Sequence, residues 1–216
     1  MDKNKQDKLK DIVEMYCVSK DMILYCEEID EQQKSNPQHI NELKMGLDHL
    51  MRVFAVDLKI KEGDDEYMEE NLNSCFNHIY RAGYDALDWV SITLRANIYR
   101  EIKGFSNEGI ATVIPKYYEE IKPEIEDINK KIAELRYEKD AGYKNIEGFM
   151  RYAEKVNTLR KYHADILKKK PALVEYDKKL NSEKGWEFTK QFIIITIIGG
   201  IIVGITVFLI LKFITG

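Results

Sequence analysis

The chain has 216 residues, and its 33 lysines and arginines against 37 aspartates and glutamates give a formal net charge of -4 at pH 7. So small a charge excludes a general attraction to nucleic acid or anionic lipid, and any such contact must come from a local patch. The three cysteines, Cys17, Cys26 and Cys75, lack CxxC spacing, which favours reduced thiols in a cytoplasmic helical core over a disulfide framework.

Apolar residues recur at three- and four-residue steps through most of residues 1–190, a pattern that predicts helices. The sequence therefore predicts an all-α fold, with a cytoplasmic multi-helix domain followed by a single C-terminal transmembrane helix. The apolar face of the first helix consists of Leu9, Ile12, Val13, Tyr16, Ile23 and Leu24. The pattern is lost in the polar residues 30–36.

A second helix is predicted to begin at Asn36 and Pro37, because asparagine caps free backbone N–H groups and proline has none to satisfy in a first turn. This helix carries Ile40, Leu43, Leu47, Leu50, Phe54 and Leu58 at three- and four-residue steps. Gly63 is predicted to end it in a left-handed conformation.

The acidic residues 62–70 suit the positive end of a third helix, or could form a contact site for a cation or a protein.

The third helix is predicted to span residues 64–103, to bend near Gly83 and to form the core of the domain. Its inward residues are predicted to be Leu72, Cys75, Ile79, Ala86, Val90 and Leu94. Gly104 is predicted to end this helix. Ser106 can then cap a short helix that Pro115 interrupts.

Two further helices are predicted in the soluble region, one from Pro123 to about Gly142 and one over residues 145–170. Pro171 is predicted to open a last segment that leads into the membrane. The predicted organisation is a cytoplasmic helical domain at residues 1–170, a juxtamembrane helix at 171–190 and a transmembrane helix at 191–212.

Residues 191–211 form a stretch of twenty-one residues without a formal charge, between Lys190 and Lys212. With a rise of about 1.5 Å per residue, such a helix crosses the roughly 30 Å hydrocarbon core of a bilayer. A buried helix of a soluble core is the alternative. Trp186 and Phe188 lie where interfacial aromatic residues are expected, which favours the membrane.

The topology of the chain is predicted from its charges. The N-terminal residues carry no uninterrupted apolar run and hence no secretory signal. Before the span lie Lys178, Lys179, Lys184 and Lys190, whereas only Lys212 follows it. Because lysines and arginines that flank a membrane span tend to remain on its cytoplasmic side, we expect a single-pass, tail-anchored protein with its N-terminal domain in the cytoplasm. Richness in lysine, isoleucine, asparagine and tyrosine suits an AT-rich prokaryotic genome, so the expected location is a prokaryotic inner membrane.

Neither catalysis nor a cofactor is predicted. The chain has no GxxxxGK[ST], GxSxG or GxGxxG motif. Its histidines, His39, His49, His78 and His163, have no metal-ligand spacing, so no metal site is expected.

Basic side chains are concentrated in residues 151–170, and this segment is the candidate ligand site. The residues predicted to bind phosphate are Arg151, Lys155, Arg160 and Lys161. Such a surface suits a nucleotide or an oligonucleotide. It also fits a solvated helix face, and the lysines at 168–170 fit a position beside anionic lipid headgroups.

Small residues in the apolar stretch predict association between copies of the chain. They are Thr196, Gly199, Gly200, Gly204 and Thr206. Gly200 and Gly204 form a GxxxG pair, which lets membrane helices approach closely. In an assembly of four or more copies, Thr196 and Thr206 could line a conduit between hydrophobic constrictions.

In its order of parts, a helical domain without a catalytic motif followed by QFIIITIIGGIIVGITVFLILKFITG, the chain resembles membrane effectors of prokaryotic anti-phage defence, including the channel component of the Hailong type. The resemblance implies an oligomeric channel whose soluble assembly holds an oligonucleotide. Release of that oligonucleotide would then dissipate the membrane potential. The alternative is a tail-anchored scaffold or tether that brings a cytoplasmic protein partner to the membrane.

Overall fold

The structure is a computed structural model that describes the backbone of residues 1–30, 36–140 and 146–215; side chains are described for the same residues except 138–140, 201 and 205–215. The described elements are α1 (Lys3–Ile29), α2 (Pro37–Asp57), α3 (Asp65–Ile102), α4 (Asn107–Val113), a π-helical turn (Tyr117–Ile121), α5 (Lys122–Asp140) and α6 (Ile146–Thr215). The prediction of an all-α fold is confirmed. The predicted stop near Gly142 lies outside the described residues.

The helix starts follow the capping residues of the sequence. The Asn36 side chain accepts a hydrogen bond from the Gln38 backbone N–H, and Ser106 does the same for Gly109. Asp64 likewise caps α3, which explains part of the acidic run as a helix start. At the other end of α3, Gly104 has a φ of 101°, which confirms it as a left-handed stop.

The predicted stop of α2 at Gly63 is wrong. The helix ends at Asp57, and the left-handed residue is Lys59, with a φ of 59°. The turn closes because the Ala55 carbonyl accepts from the N–H groups of both Ile60 and Lys61, at 2.8 and 2.9 Å. These two bonds satisfy the helix end before glycine is reached.

The predicted helix boundary at Pro171 is also wrong, because α6 runs through it from Ile146 to Thr215. A proline inside a helix removes one backbone hydrogen bond and crowds the preceding turn. Lys168–Lys170 before it and Ala172 and Leu173 after it are good helix formers, and neither glycine nor a capping side chain offers a competing stop. The helix therefore continues despite the missing N–H.

The chain divides into two compact units. The first consists of Met1–Lys103 and Lys116–Lys168, and the second of Gly104–Pro115 and Lys169–Gly216. In the second unit, α4 lies against α6. The Ser106 hydroxyl donates to Asp177 Oδ1 at 2.8 Å, and the Tyr176 hydroxyl donates to Glu108 Oε1 at 3.0 Å.

Helix α3 forms the core of the first unit, as predicted. All six residues predicted to face inward are buried: Leu72, Cys75, Ile79, Ala86, Val90 and Leu94. Helices α1 and α2 each pack along α3. The N-terminal part of α6 adds aromatic contacts, since the ring centroids of Tyr84 and Phe149 lie 5.4 Å apart and those of Tyr84 and Tyr152 lie 5.7 Å apart.

Gly83, the predicted bend, lies inside the uninterrupted α3 at a close packing point. A Cβ at this position would lie 2.6 Å from Phe149 Cε2 and would also overlap the hydroxyl of Ser19. Glycine is required there because side chains of both α1 and α6 occupy the space that a Cβ would fill.

Candidate functional site

The apolar stretch of α6 is exposed throughout its described part. Ile146–Gly204 contains a segment long and apolar enough to cross a membrane by length and composition, and none of that segment is buried. A core helix of a soluble protein would be mostly buried. Ile195 is 69% exposed and Phe192 is 63% exposed. This α6 segment is therefore long, apolar and exposed, as a C-terminal membrane anchor would be.

The small residues of this stretch leave a smooth helix surface. A Cβ added at Gly199, Gly200 or Gly204 would meet nothing within 4 Å. The Thr196 hydroxyl donates to the Phe192 carbonyl at 2.8 Å, so the threonine satisfies its polar group within the helix. The side chain of Thr206 lies outside the described residues.

Two of the four residues predicted to bind phosphate lie together. Arg151 and Lys155 of α6 line a pocket of about 300 Å³ with Lys131, Glu134 and Leu135 of α5. Lys131 also pairs with Asp127 at 2.5 Å. The sequence did not reveal that α5 contributes a cation. The pocket thus collects three basic side chains and one carboxylate from two helices.

Arg160 points elsewhere. Its guanidinium lies 3.8 Å from the centroid of the Tyr25 ring and 3.3 Å from Asp21 Oδ2, both on α1. It therefore ties α6 to α1 through stacking and an ion pair. Lys161 is exposed. Of the four residues predicted to bind phosphate, Arg151 and Lys155 line the pocket beside α5, whereas Arg160 contacts α1.

An apolar groove lies between α1 and α2, with α3 as its floor. It has a volume of about 500 Å³. The residues that line it are Ile12, Val13, Tyr16, Ile40, Leu43, Lys44, Gly46, Leu47, Leu50, Cys75 and Ile79. Ile40 and Leu47 are 52% and 55% exposed, unusually high for a regular apolar stripe. The apolar repeat of α2 was visible in the sequence, but nothing in the sequence showed that these residues stay exposed in the fold.

The ionisable side chains of the first unit form structural clusters. Glu42 Oε2 accepts a hydrogen bond from Arg81 Nε at 3.0 Å and lies 2.8 Å from His78 Nδ1. Burial alone would raise the pKa of Glu42, but the contacts with His78 and Arg81 outweigh burial and lower that pKa. Among the described residues, no three histidine, cysteine or carboxylate side chains group as a metal site would require.

The three cysteines are free. Burial raises the pKa of Cys26 to about 12 and that of Cys75 to about 11, so both stay protonated and unreactive at neutral pH. Cys17 is exposed on α1. Two of the three cysteines therefore lie in the helical core, as predicted, and Cys17 does not.

Comparison with known proteins adds no relative: no protein-family model, no curated protein and no solved structure matches the chain.

Proposed function

We propose that the chain is a single-pass, tail-anchored membrane protein that acts as a homo-oligomeric effector or ion channel in prokaryotic antiviral defence. The observation that carries the proposal is the unburied apolar stretch of α6. Its glycines leave open surface on which membrane helices could pack closely. The helical unit that precedes it would lie in the cytoplasm.

The ligand of this effector would bear phosphate and would bind between α5 and α6. Lys131, Arg151 and Lys155 supply the positive charge, and the pocket of about 300 Å³ suits one phosphate group of a nucleotide or oligonucleotide. Glu134 borders the same pocket, and its carboxylate would offset part of this positive charge. Binding there would change how α5 packs on α6, the helix that continues into the apolar stretch.

Ion flux in liposomes tests this function. We expect the full chain to dissipate a potassium diffusion potential, and the double substitution Gly200→Leu with Gly204→Leu to lower the rate by about tenfold or more, because close helix packing is lost. Ile202→Leu is the matched control, since it lies between the two glycines and changes only side-chain shape. Flux that survives the double substitution would overturn the assignment of these glycines to a pore.

A second candidate function is a tether that brings a cytoplasmic protein partner to the membrane. The apolar groove between α1 and α2 favours it, because such a surface can hold a helix of another protein. A tether requires the anchor but no conduction. A chain that resists extraction of membranes with alkaline carbonate, yet gives no ion flux with or without an added oligonucleotide, would favour the tether over the channel.

A further inference from the structure

Helix α2 has two separate faces, one that docks on α3 and one that the described residues leave partly exposed. His39, Gly46 and Val53, spaced seven residues apart, are its buried residues and face α3. At Gly46 the helices come close, since a Cβ there would lie 3.2 Å from Ile79 Cγ1. Because Gly46 has no side chain, α2 docks closely on α3 through a face that carries small and polar residues.

The second face of α2 carries the stronger apolar pattern. Ile40, Leu47 and Phe54 repeat every seven residues, and Leu43 and Leu50 repeat in the same way between them. This spacing is the a and d pattern of a coiled-coil seam, which packs against another helix. Helix α1 does not close over it, and about half of the Ile40 and Leu47 side chains stays exposed, as does 48% of Met51.

The missing partner of this seam is an α-helix. The groove has apolar walls on both sides, with Val13 and Tyr16 on α1 and the seam on α2, and its floor is formed by Cys75 and Ile79 of α3. A helix placed in it would complete a four-helix arrangement with α1, α2 and α3. The seven-residue repeat selects a straight, antiparallel or parallel helix over an extended peptide.

We propose that the occupant is α2 of a second copy of this chain, packed antiparallel across a two-fold axis near Gly46 and Leu47. Charge favours this partner. Lys44 lines the groove, and Asp48 lies one helical turn later, outside the groove lining. Because the two positions lie two residues to either side of residue 46, an antiparallel contact centred at that level brings Lys44 of each copy level with Asp48 of the other, within reach of the long lysine side chain.

The charges are available for this exchange. Lys44 has no ion pair among the described residues, and Asp48 pairs only with Arg52 on its own helix, at 2.6 Å with both side chains about half exposed. An exposed pair of this kind contributes little and is readily shared. The contact deepens the homo-oligomer of the proposed function, on which it rests for the presence of a second copy at the membrane.

Disulfide trapping of the full chain in native membranes tests the contact. In a Cys17→Ser background, Leu47→Cys places one thiol from each copy at the two-fold axis, where we expect a covalent dimer on mild oxidation. Leu24→Cys is the matched control, because Leu24 is 51% exposed on α1 and Leu47 is 55% exposed, but Leu24 does not line the groove. A dimer from Leu24→Cys alone, from both variants equally or from neither overturns the inference.

Charge reversal separates a specific contact from random collision. Lys44→Asp or Asp48→Lys in the Leu47→Cys background should each lower the yield of the covalent dimer by about fivefold or more, since like charges then meet twice. The two reversals together should restore it. Yields that fall and stay low in the combined variant, or that never fall, overturn the inference.

Membrane attachment is measured in the same samples, which keeps this inference distinct from the proposed function. Pelleting of the chain without a Leu47→Cys dimer leaves the anchor standing and rejects the α2 contact. A dimer formed by a chain that fails to pellet supports the contact and rejects the membrane function.

Discussion

The Tyr152 hydroxyl donates a hydrogen bond of 2.7 Å to Asp88 Oδ1, which joins α6 to α3. The same carboxylate oxygen lies 3.1 Å from Arg136 Nε of α5, so three helices meet at one side chain. Ser91 Oγ lies 3.2 Å from the Tyr152 oxygen and completes the surroundings of the hydroxyl. Because Tyr152 is fully buried, this polar cluster fixes how α6 packs on the core.

We expect Tyr152→Phe to destabilise the first unit by about 1.5–3 kcal/mol, the value of a hydrogen bond to a charged group. The ring and its packing remain, so the loss reports the hydroxyl alone. The measurement is the urea midpoint of the detergent-purified chain, followed by near-ultraviolet circular dichroism. Tyr137→Phe, at a side chain that is 76% exposed, should leave the midpoint unchanged. Equal midpoints for the two variants would show that the Asp88 contact contributes nothing.

Alkaline pH should weaken the same cluster. Burial, followed by the charge of Asp88, raises the pKa of Tyr152 well above its ordinary value of 10.0. The unfolded chain therefore loses the phenolic proton first, and the stability that this group contributes is complete below about pH 10 and falls as the pH rises further. We expect the urea midpoint of Tyr152→Phe to fall less steeply above pH 10 than that of the unchanged chain. Parallel profiles would contradict this linkage.

The sequence predicted α3 correctly because that helix is covered on several sides, so its apolar positions and its buried positions coincide. On α2 the apolar pattern does not mark the face that docks on α3, because the docking residues His39 and Gly46 carry almost no hydrophobic signal. The apolar stripe with Ile40 and Leu47 is left on the groove instead. Only the three-dimensional packing of α1 and α2 on α3 distinguishes these two faces.

Acid should loosen the docking of α2 through His39. Burial lowers the pKa of His39, and the charge of Asp85 opposes that shift only in part. A histidine with a depressed folded pKa contributes stability that is complete above its unfolded pKa of about 6.5 and is lost as the pH falls. We expect His39→Leu to reduce the drop in urea midpoint between about pH 7 and pH 5. His39→Gln, which is polar but does not titrate, should reduce it equally; an unchanged drop in both would contradict the role of His39.

The close approach at Gly83 should make this position intolerant of any side chain. The methyl group of Gly83→Ala would meet Phe149 and Ser19, and overpacking of a core typically costs about 1–3 kcal/mol. This cost exceeds the gain of about 1 kcal/mol from replacing glycine in a helix. The matched control is Gly185→Ala, where the added Cβ meets nothing within 4 Å and the thermal midpoint should stay or rise. A midpoint that rises in both variants would contradict the packing at Gly83.

Arg160 should affect stability, whereas Arg151 and Lys155 should affect ligand binding. Arg160→Ala removes the stacking on Tyr25 and the ion pair with Asp21, and both are partly exposed, so we expect a loss of about 1 kcal/mol. The double variant Arg151→Ala with Lys155→Ala should weaken binding of a labelled short oligonucleotide by about tenfold or more at low salt, because phosphate contacts dominate such affinity.

The two variants also differ in how binding responds to salt. The slope of log affinity against log salt should fall by more than one for the double variant, since two cations are removed, and should stay the same for Arg160→Ala. Lys161→Ala, at an exposed lysine beside Arg160, is the control for a general loss of positive charge. If Arg160→Ala or Lys161→Ala reduced affinity as strongly as the double variant, the ligand would lie along α6 rather than in the pocket with Lys131, and the assignment of that pocket would be wrong.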